Sequence, residues 1–192
     1  VTSRFLFLLG SARKDGNTEL LARRAAEALP EEVEQQWIHL EEAALPRFVD
    51  HRHTGEEIPQ PVGVEKELLN ATLAATDVVL ATPLYWYNVS GSTKVMLDYW
   101  AGWLKVPGLD FRARMNGKTL WTIMALGDED FSTAEPALAT LEMTGSYLGM
   151  RWGGVLNGYS SAPGQVLEDE AALRRAGTFL APAHDRAAAP TA

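Results

Sequence analysis

The chain has no cysteine among its 192 residues. That absence excludes disulfides, thiolate nucleophiles, iron–sulfur clusters and Cys-based zinc sites together. Any redox chemistry must then rest on a bound organic cofactor or on a metal held by nitrogen and oxygen ligands. Clustered positive charge is lacking too: 17 Lys and Arg face 25 Asp and Glu, for a net charge of −8, and the basic residues are scattered. Nucleic acid is held mainly by grouped Lys and Arg, so it is not an expected partner. No apolar run approaches the roughly 20 residues that span a bilayer. The opening VTSRFLFLLG reads as a short strand and a polar loop rather than a signal peptide. No membrane partner is expected, and the location expected is cytoplasmic. The loop after the first apolar run, GSARKDGNT, lacks the Gly-Lys-Ser/Thr of a P-loop and the Gly-x-Gly-x-x-Gly of a dinucleotide turn, which disfavours ATP and a Rossmann-bound dinucleotide.

What is present is a regular alternation of elements. Apolar, β-prone runs occur at residues 5–9, 33–40, 77–82, 119–126 and 150–156, each followed or separated by a stretch long enough for a helix. Five strands with helical crossovers predict an α/β fold with a parallel sheet. Helices are expected at 18–29, 62–75, 91–104, 133–148 and 168–180, with apolar stripes such as Leu21, Ala25, Ala28 and Leu29 at helical spacing. Ser132 with Glu135 has the form of a capping box, and Gly149 stands where a C-terminal cap belongs. Residues 42–61 carry three prolines and no periodicity, and 105–116 form a second long connection; loops of that length are usually functional or mobile. The length fits one domain, taken as residues 1–182, with a disordered tail at 183–192.

Three loops leave the carboxyl ends of the predicted strands, where open parallel sheets bind ligands. The first is GSARKDGNT, residues 10–18. Ser11, Asn17 and Thr18 can donate to phosphate oxygens, Arg13 can add a charge-assisted bond, and Gly16 lets the backbone fold around an anion at a helix start. The alternative is an ordinary connection whose Asn17 caps the helix. The second loop, TPLYWYNVSG at 82–91, follows a buried-type strand with three consecutive aromatics. Tyr85, Trp86 and Tyr87 suit a flat heterocycle; the alternative is packing on the following helix or in a subunit interface. The third is GDEDF at 127–131, where Gly127 allows close approach and the acids read more readily as a solvated turn. His51, His53 and Asp50 form a weak metal candidate, since two histidines at that spacing in a loop usually bind none. A phosphate cradle and a ring platform together fit one ligand, flavin mononucleotide (FMN).

On these two motifs the chain resembles the flavodoxin-like NAD(P)H-dependent FMN reductases. GSARKDGNT is similar to that family's Gly-Ser-x-Arg-x-x-Ser/Gly-Asn-x phosphate loop. The stretch TPLYWYNVSGSTKVMLDYW is similar to its Pro-x-Tyr-Trp/Phe-x-x-x-x-Gly-x-x-Lys motif, here Pro83, Tyr85, Trp86, Gly91 and Lys94, followed by Asp98 and Trp100. The resemblance implies a three-layer sandwich with strand order 2-1-3-4-5. It implies phosphate contacts from Ser11, Arg13, Gly16, Asn17 and Thr18, and flavin-ring contacts from Pro83, Leu84, Tyr85, Trp86, Tyr87, Asn88, Val89 and Gly127. It further implies NADPH or NADH as donor, a small-molecule electron acceptor (quinone, flavin, azo or nitro compound) and a homodimer or homotetramer. The related iron–sulfur flavoproteins carry a cysteine cluster after the second strand, and this chain cannot.

With FMN bound, no side chain need act as a nucleophile, because the flavin carries the reaction. Lys94 and Asp98 lie one helical turn apart and are expected to pair. Arg112 and Arg114 are either a binding point for an NADPH phosphate or part of a solvated loop. An electron carrier of flavodoxin type is the alternative to a reductase. Carriers of that type usually have an uncharged phosphate loop, whereas this one has Arg13 and Lys14. A regulatory protein that keeps the fold without a cofactor is a third reading.

Overall fold

A strand buried on both faces must be apolar on both, and three runs in this chain meet that condition. In the structure, a computed structural model that describes residues 3–55 and 57–181, these runs are β1 (Arg4–Leu9), β3 (Asp77–Pro83) and β4 (Thr119–Leu126). The tail expected at 183–192 lies outside the described residues. With β2 (Glu34–His39) and β5 (Arg151–Tyr159) they form one parallel sheet in the order β2-β1-β3-β4-β5. This is the predicted flavodoxin-like order. The edge strands β2 and β5 are only partly covered and correspondingly more polar.

The alternation of side chains sorts two cores. Phe5, Phe7, Leu9, Val79, Ala81, Trp121 and Ile123 face one way, against α1 (Asn17–Ala26) and α7 (Glu170–Phe179). Leu6, Leu8, Val78, Leu80, Leu120, Met124 and Leu126 face the other way, against α3 (Gly63–Ala74), α4 (Gly91–Trp103) and α6 (Glu135–Tyr147). Two short helices were not legible in the pattern: α2 (Leu40–Ala43) and α5 (Phe111–Met115). Within the long connection, residues 46–48 lie across α4. Phe48 meets Tyr99 edge-on at 5.4 Å, and the Tyr99 hydroxyl donates to Pro46 O at 3.1 Å. The aromatics Tyr99, Trp100 and Trp103 therefore belong to the core rather than to a bare surface.

One capping expectation is corrected. α6 does not start on a Ser132–Glu135 box; a 3₁₀ turn at Phe131–Ala134 precedes it, and the Asp130 side chain accepts the Ser132 amide at 3.0 Å. The carboxylate two residues upstream reaches that amide first and tightens the entry. Gly149 closes α6 as expected: its φ of 72° lets Met150 N donate to Gly145 O at 2.9 Å and its own amide to Ser146 O at 3.0 Å. No helix among the described residues is long and apolar enough to cross a membrane.

β4 and β5 pair with a bulge, since Leu120 faces Trp152 whereas Trp121 faces Gly154, leaving Gly153 as the extra residue. A side chain at Gly153 would overlap the Trp121 indole, whose Nε1 is tied to Asp77 Oδ1 at 2.9 Å and so has no room to retreat. Gly153→Ala is therefore expected to lower stability by about 1–3 kcal/mol, the usual cost of overpacking a core. A chemical denaturation midpoint equal to that of the parent contradicts this.

Candidate functional site

The sheet order reverses between β1 and β3, so the loops after these two strands diverge and leave a crevice beyond the carboxyl edge. Gly10 makes the crevice possible. Its amide donates to Ala81 O at 2.8 Å and its carbonyl accepts from Ser92 Oγ at 3.1 Å, which presses the end of β1 against the start of α4. A Cβ there would overlap Thr93 Oγ1 and come within 2.8 Å of Ser90 Oγ.

α1 begins on Gly16 with extended φ/ψ and no side-chain cap. Its first amides, on Asn17, Thr18 and Glu19, have no acceptor among the described residues, and they carry the positive end of the helix. Thr18 is 2% exposed, yet its hydroxyl makes no hydrogen bond among the described residues. Ser11, also buried, accepts the Arg13 amide at 3.1 Å and shapes the loop. A Cβ at Gly16 would stand 3.0 Å from Ser11 Oγ and 3.3 Å from Arg13 O, inside the concavity. Arg13 is exposed and has no acid partner among the described residues, whereas Lys14 pairs with Glu42.

These groups line a cleft of about 260 Å³ together with residues 83–85, 125–127 and 160–163. Pro83, Leu84, Tyr85 and Gly127 thus join Ser11, Arg13, Gly16, Asn17 and Thr18, as the sequence proposed. Trp86, Tyr87, Asn88 and Val89 do not line it. Tyr85 and Asn88 exchange both backbone hydrogen bonds, at 2.9 and 3.0 Å, in a two-residue hairpin whose tip is Trp86 (φ 49°) and Tyr87 (φ 62°). The hairpin geometry demands positive φ at both tip residues. Here two aromatics adopt it without glycine, and Trp86 is left 93% exposed. Tyr85 and Tyr87 are also exposed, so none of the three rings is buried in the core. Val89 is buried and roots the loop, and Ser90 caps α4 by accepting the Thr93 amide at 3.3 Å.

The fourth wall, residues 160–163, was not anticipated. Its signal was available in the run Ser160-Ser161-Ala162-Pro163-Gly164, small and turn-prone, directly after the last strand. Asn17 reaches this loop: Nδ2 donates to Ala162 O at 2.9 Å and Oδ1 accepts Val166 N at 3.3 Å. Its side chain therefore ties two walls together, and only its backbone amide faces the concavity. Arg112 and Arg114 take no part. They lie on α5, which leads into the amino end of β4 at the opposite edge, and Arg112 sits over the Tyr147 ring at 4.8 Å. Lys94 and Asp98 pair as expected, at 2.5 Å. Among the described residues no group of three or more His, Asp or Glu is placed to hold a metal; Asp50 is instead bound by Arg52, which holds its carboxyl down to about 2.

The donor set suits a phosphate monoester on a flat ring. Among the described residues, unpartnered amides at a helix start, the Thr18 hydroxyl and an uncompensated guanidinium converge on a concavity at Gly16. The hairpin next to it offers aromatic surface.

Comparison with known proteins points the same way. Residues 3–153 match the family model of the NADPH-dependent FMN reductases. A Bacillus subtilis protein provisionally named as an NAD(P)H-dependent FMN-containing oxidoreductase, YwqN, is 28% identical over 172 residues, covering 89% of this chain and 93% of its own. The solved Trp repressor binding protein of Bacillus subtilis superposes with a TM-score of 0.72 at 25% identity, over 92% of this chain and 97% of the other. An NAD(P)H:quinone oxidoreductase of Methanothermobacter marburgensis shares the fold, with a TM-score of 0.67 at 15% identity over 96% and 98%.

The 160–163 wall depends on Asp169, which accepts the Tyr159 amide and the Ala172 amide, each at 2.9 Å, and so caps α7. Partial burial pushes this carboxyl up, but those two amides and the nearby Arg175 outweigh it and leave it below the ordinary value of 3.8. The stabilisation is therefore present above that value and is lost as pH falls through the lower folded one. Asp169→Ala is expected to cost about 1 kcal/mol at neutral pH, as cap removals do, with the gap to the parent closing in acid. A gap that persists below pH 2, or none at neutral pH, contradicts the assignment.

Proposed function

The chain belongs to the NADPH-dependent FMN reductase family, and from that premise we propose that it passes electrons from NAD(P)H through bound FMN to a small aromatic acceptor. The observation that carries this reading is the uncapped start of α1 beside Thr18, which lines the cleft, and an Arg13 that has no acid partner among the described residues. In this reading the amides of the α1 start and the Thr18 hydroxyl hold the phosphate of FMN, and Arg13 neutralises its second charge. The cofactor, when bound, supplies the hydride-accepting ring. The chain's own part is position and exclusion. Pro83, Leu84 and Tyr85 form one wall for the ring, held rigid because Leu84 N donates to Ala125 O at 3.1 Å. Gly127 keeps the opposite rim open, and the exposed hairpin tip at Trp86 and Tyr87 offers a surface for the acceptor.

Quinones, azo and nitro compounds and free flavin are the acceptor classes that suit such a shallow aromatic rim. That a protein of the same fold is an NAD(P)H:quinone oxidoreductase supports the first of these. We place the FMN-binding unit at residues 1–182 and the protein in the cytoplasm, where reduced nicotinamides are held. We also propose a homodimer or homotetramer. Met143 and Tyr147 remain 73% and 57% exposed on α6, beside an apolar groove of about 430 Å³ against α4. Sedimentation at micromolar concentration is expected to give a dimer or larger, and a monomer throughout contradicts it.

The reductase reading is tested by steady-state NADH and NADPH oxidation with FMN and a quinone. Turnover with at least one donor is expected; none with either leaves the flavodoxin-type carrier as the better description. Arg13→Ala is expected to weaken FMN binding about tenfold, the weight of one charge-assisted hydrogen bond at a solvated rim. An unchanged affinity shows that the backbone holds the phosphate without it.

A further inference from the structure

Behind the cleft lies a carboxylate that the proposed reaction does not use. Glu19, in the first turn of α1, is 1% exposed. Its Oε1 accepts from Arg23 Nε at 2.9 Å and from the terminal Arg23 nitrogen at 2.5 Å. Its Oε2 accepts the Asp15 amide at 2.9 Å and lies 3.3 Å from His39 Nε2. Arg23 is itself stacked over Trp37 at 4.7 Å, and Trp37 lies flat on Phe7 at 3.9 Å. A continuous line of contacts thus runs from the cores of β1 and β2, through Arg23 and Glu19, to one backbone amide of the loop.

A buried acid in this place needs a reason. A carboxylate in the first turn of a helix is favourable to the helix, but it competes for the same positive end with any phosphate bound there. It must therefore be neutralised and turned away, and both conditions hold: Arg23 takes one oxygen and the Asp15 amide the other. Asp15 has φ 51°, a left-handed conformation that costs a non-glycine residue free energy. That conformation turns the chain between Arg13 and Gly16, and the Glu19 bond is the contact that holds it. On the other side Lys14 is fastened to Glu42. Burial pushes the Glu19 carboxyl up, yet Arg23, the Asp15 amide and His39 together bring it below its ordinary value, so it stays an acceptor.

We propose that Glu19 is a positioning residue that locks residues 13–16 in the phosphate-receiving shape before the cofactor arrives. This rests on the FMN reading given above. Binding to a preformed cradle avoids the ordering cost that a loose loop imposes.

The test compares the parent with Glu19→Gln, which loses the charge that Arg23 and the Asp15 amide share, and with Glu19→Ala, which leaves the Asp15 amide without its acceptor. Cofactor-free protein is examined by amide hydrogen exchange of the 10–18 segment, and affinities for FMN and riboflavin are measured by flavin fluorescence. The expected result is faster exchange in Glu19→Gln and about a tenfold loss of FMN affinity in both variants, with riboflavin affinity unchanged because riboflavin has no phosphate to place. FMN affinity within about twofold of the parent in either variant overturns the proposal, as does a parallel loss for riboflavin, which marks general misfolding. A parent that binds no FMN fails the cofactor reading instead, and the exchange rates then decide whether Glu19 holds the loop.

Discussion

A helix that starts without a side-chain cap leaves its first amides positively polarised and unanswered, and such a start is tolerated only where something else satisfies it. α1 starts this way on Gly16, at the point where strand order reverses. The neighbouring arrangements serve that start. Gly10 brings β1 against α4 so closely that no side chain fits, Ser11 folds back on the Arg13 amide, and Asn17 gives its side chain to the far wall. The loop is thereby shaped without using up the amides that face the cleft.

The second wall shows the same trade between local cost and global position. Trp86 and Tyr87 hold positive φ at a hairpin tip, each at a cost of order 1–3 kcal/mol that glycine or asparagine would have avoided. The Tyr85–Asn88 bonds, the buried Val89 and the Ser90 cap hold them there. Strain kept at the rim of a cleft in order to display aromatic surface fits a ligand-facing role better than a core-filling one.

The five strands and five main helices were legible in the sequence because they rest on periodicity, and the first two loops because they rest on short motifs; the sheet order followed from the family resemblance those motifs carry. The strands β1, β3 and β4 alternate between two largely apolar faces, and that pattern survives any detail of packing. What escaped depends on partners distant in sequence. Asn17 had the right chemistry for a phosphate, but its side chain answers a carbonyl 145 residues away. The 160–163 wall became part of the site only because β5 lies next to β4. Ser132 lost the cap to Asp130, since both residue types serve as caps and only the local trajectory chose between them. The positive φ of Trp86 and Tyr87 had no signal at all in residue type. Arg112 and Arg114 were candidates by charge alone, and their place at the amino edge of the sheet removed them.

The central claim is that the α1 start is a phosphate site and that the phosphate anchors the cofactor. Riboflavin is FMN without that group, so the ratio of the two affinities in the unaltered protein isolates it. FMN is expected to bind on the order of a hundredfold more tightly, the weight of about two charge-assisted hydrogen bonds after solvation. Equal affinity for the two flavins contradicts the account.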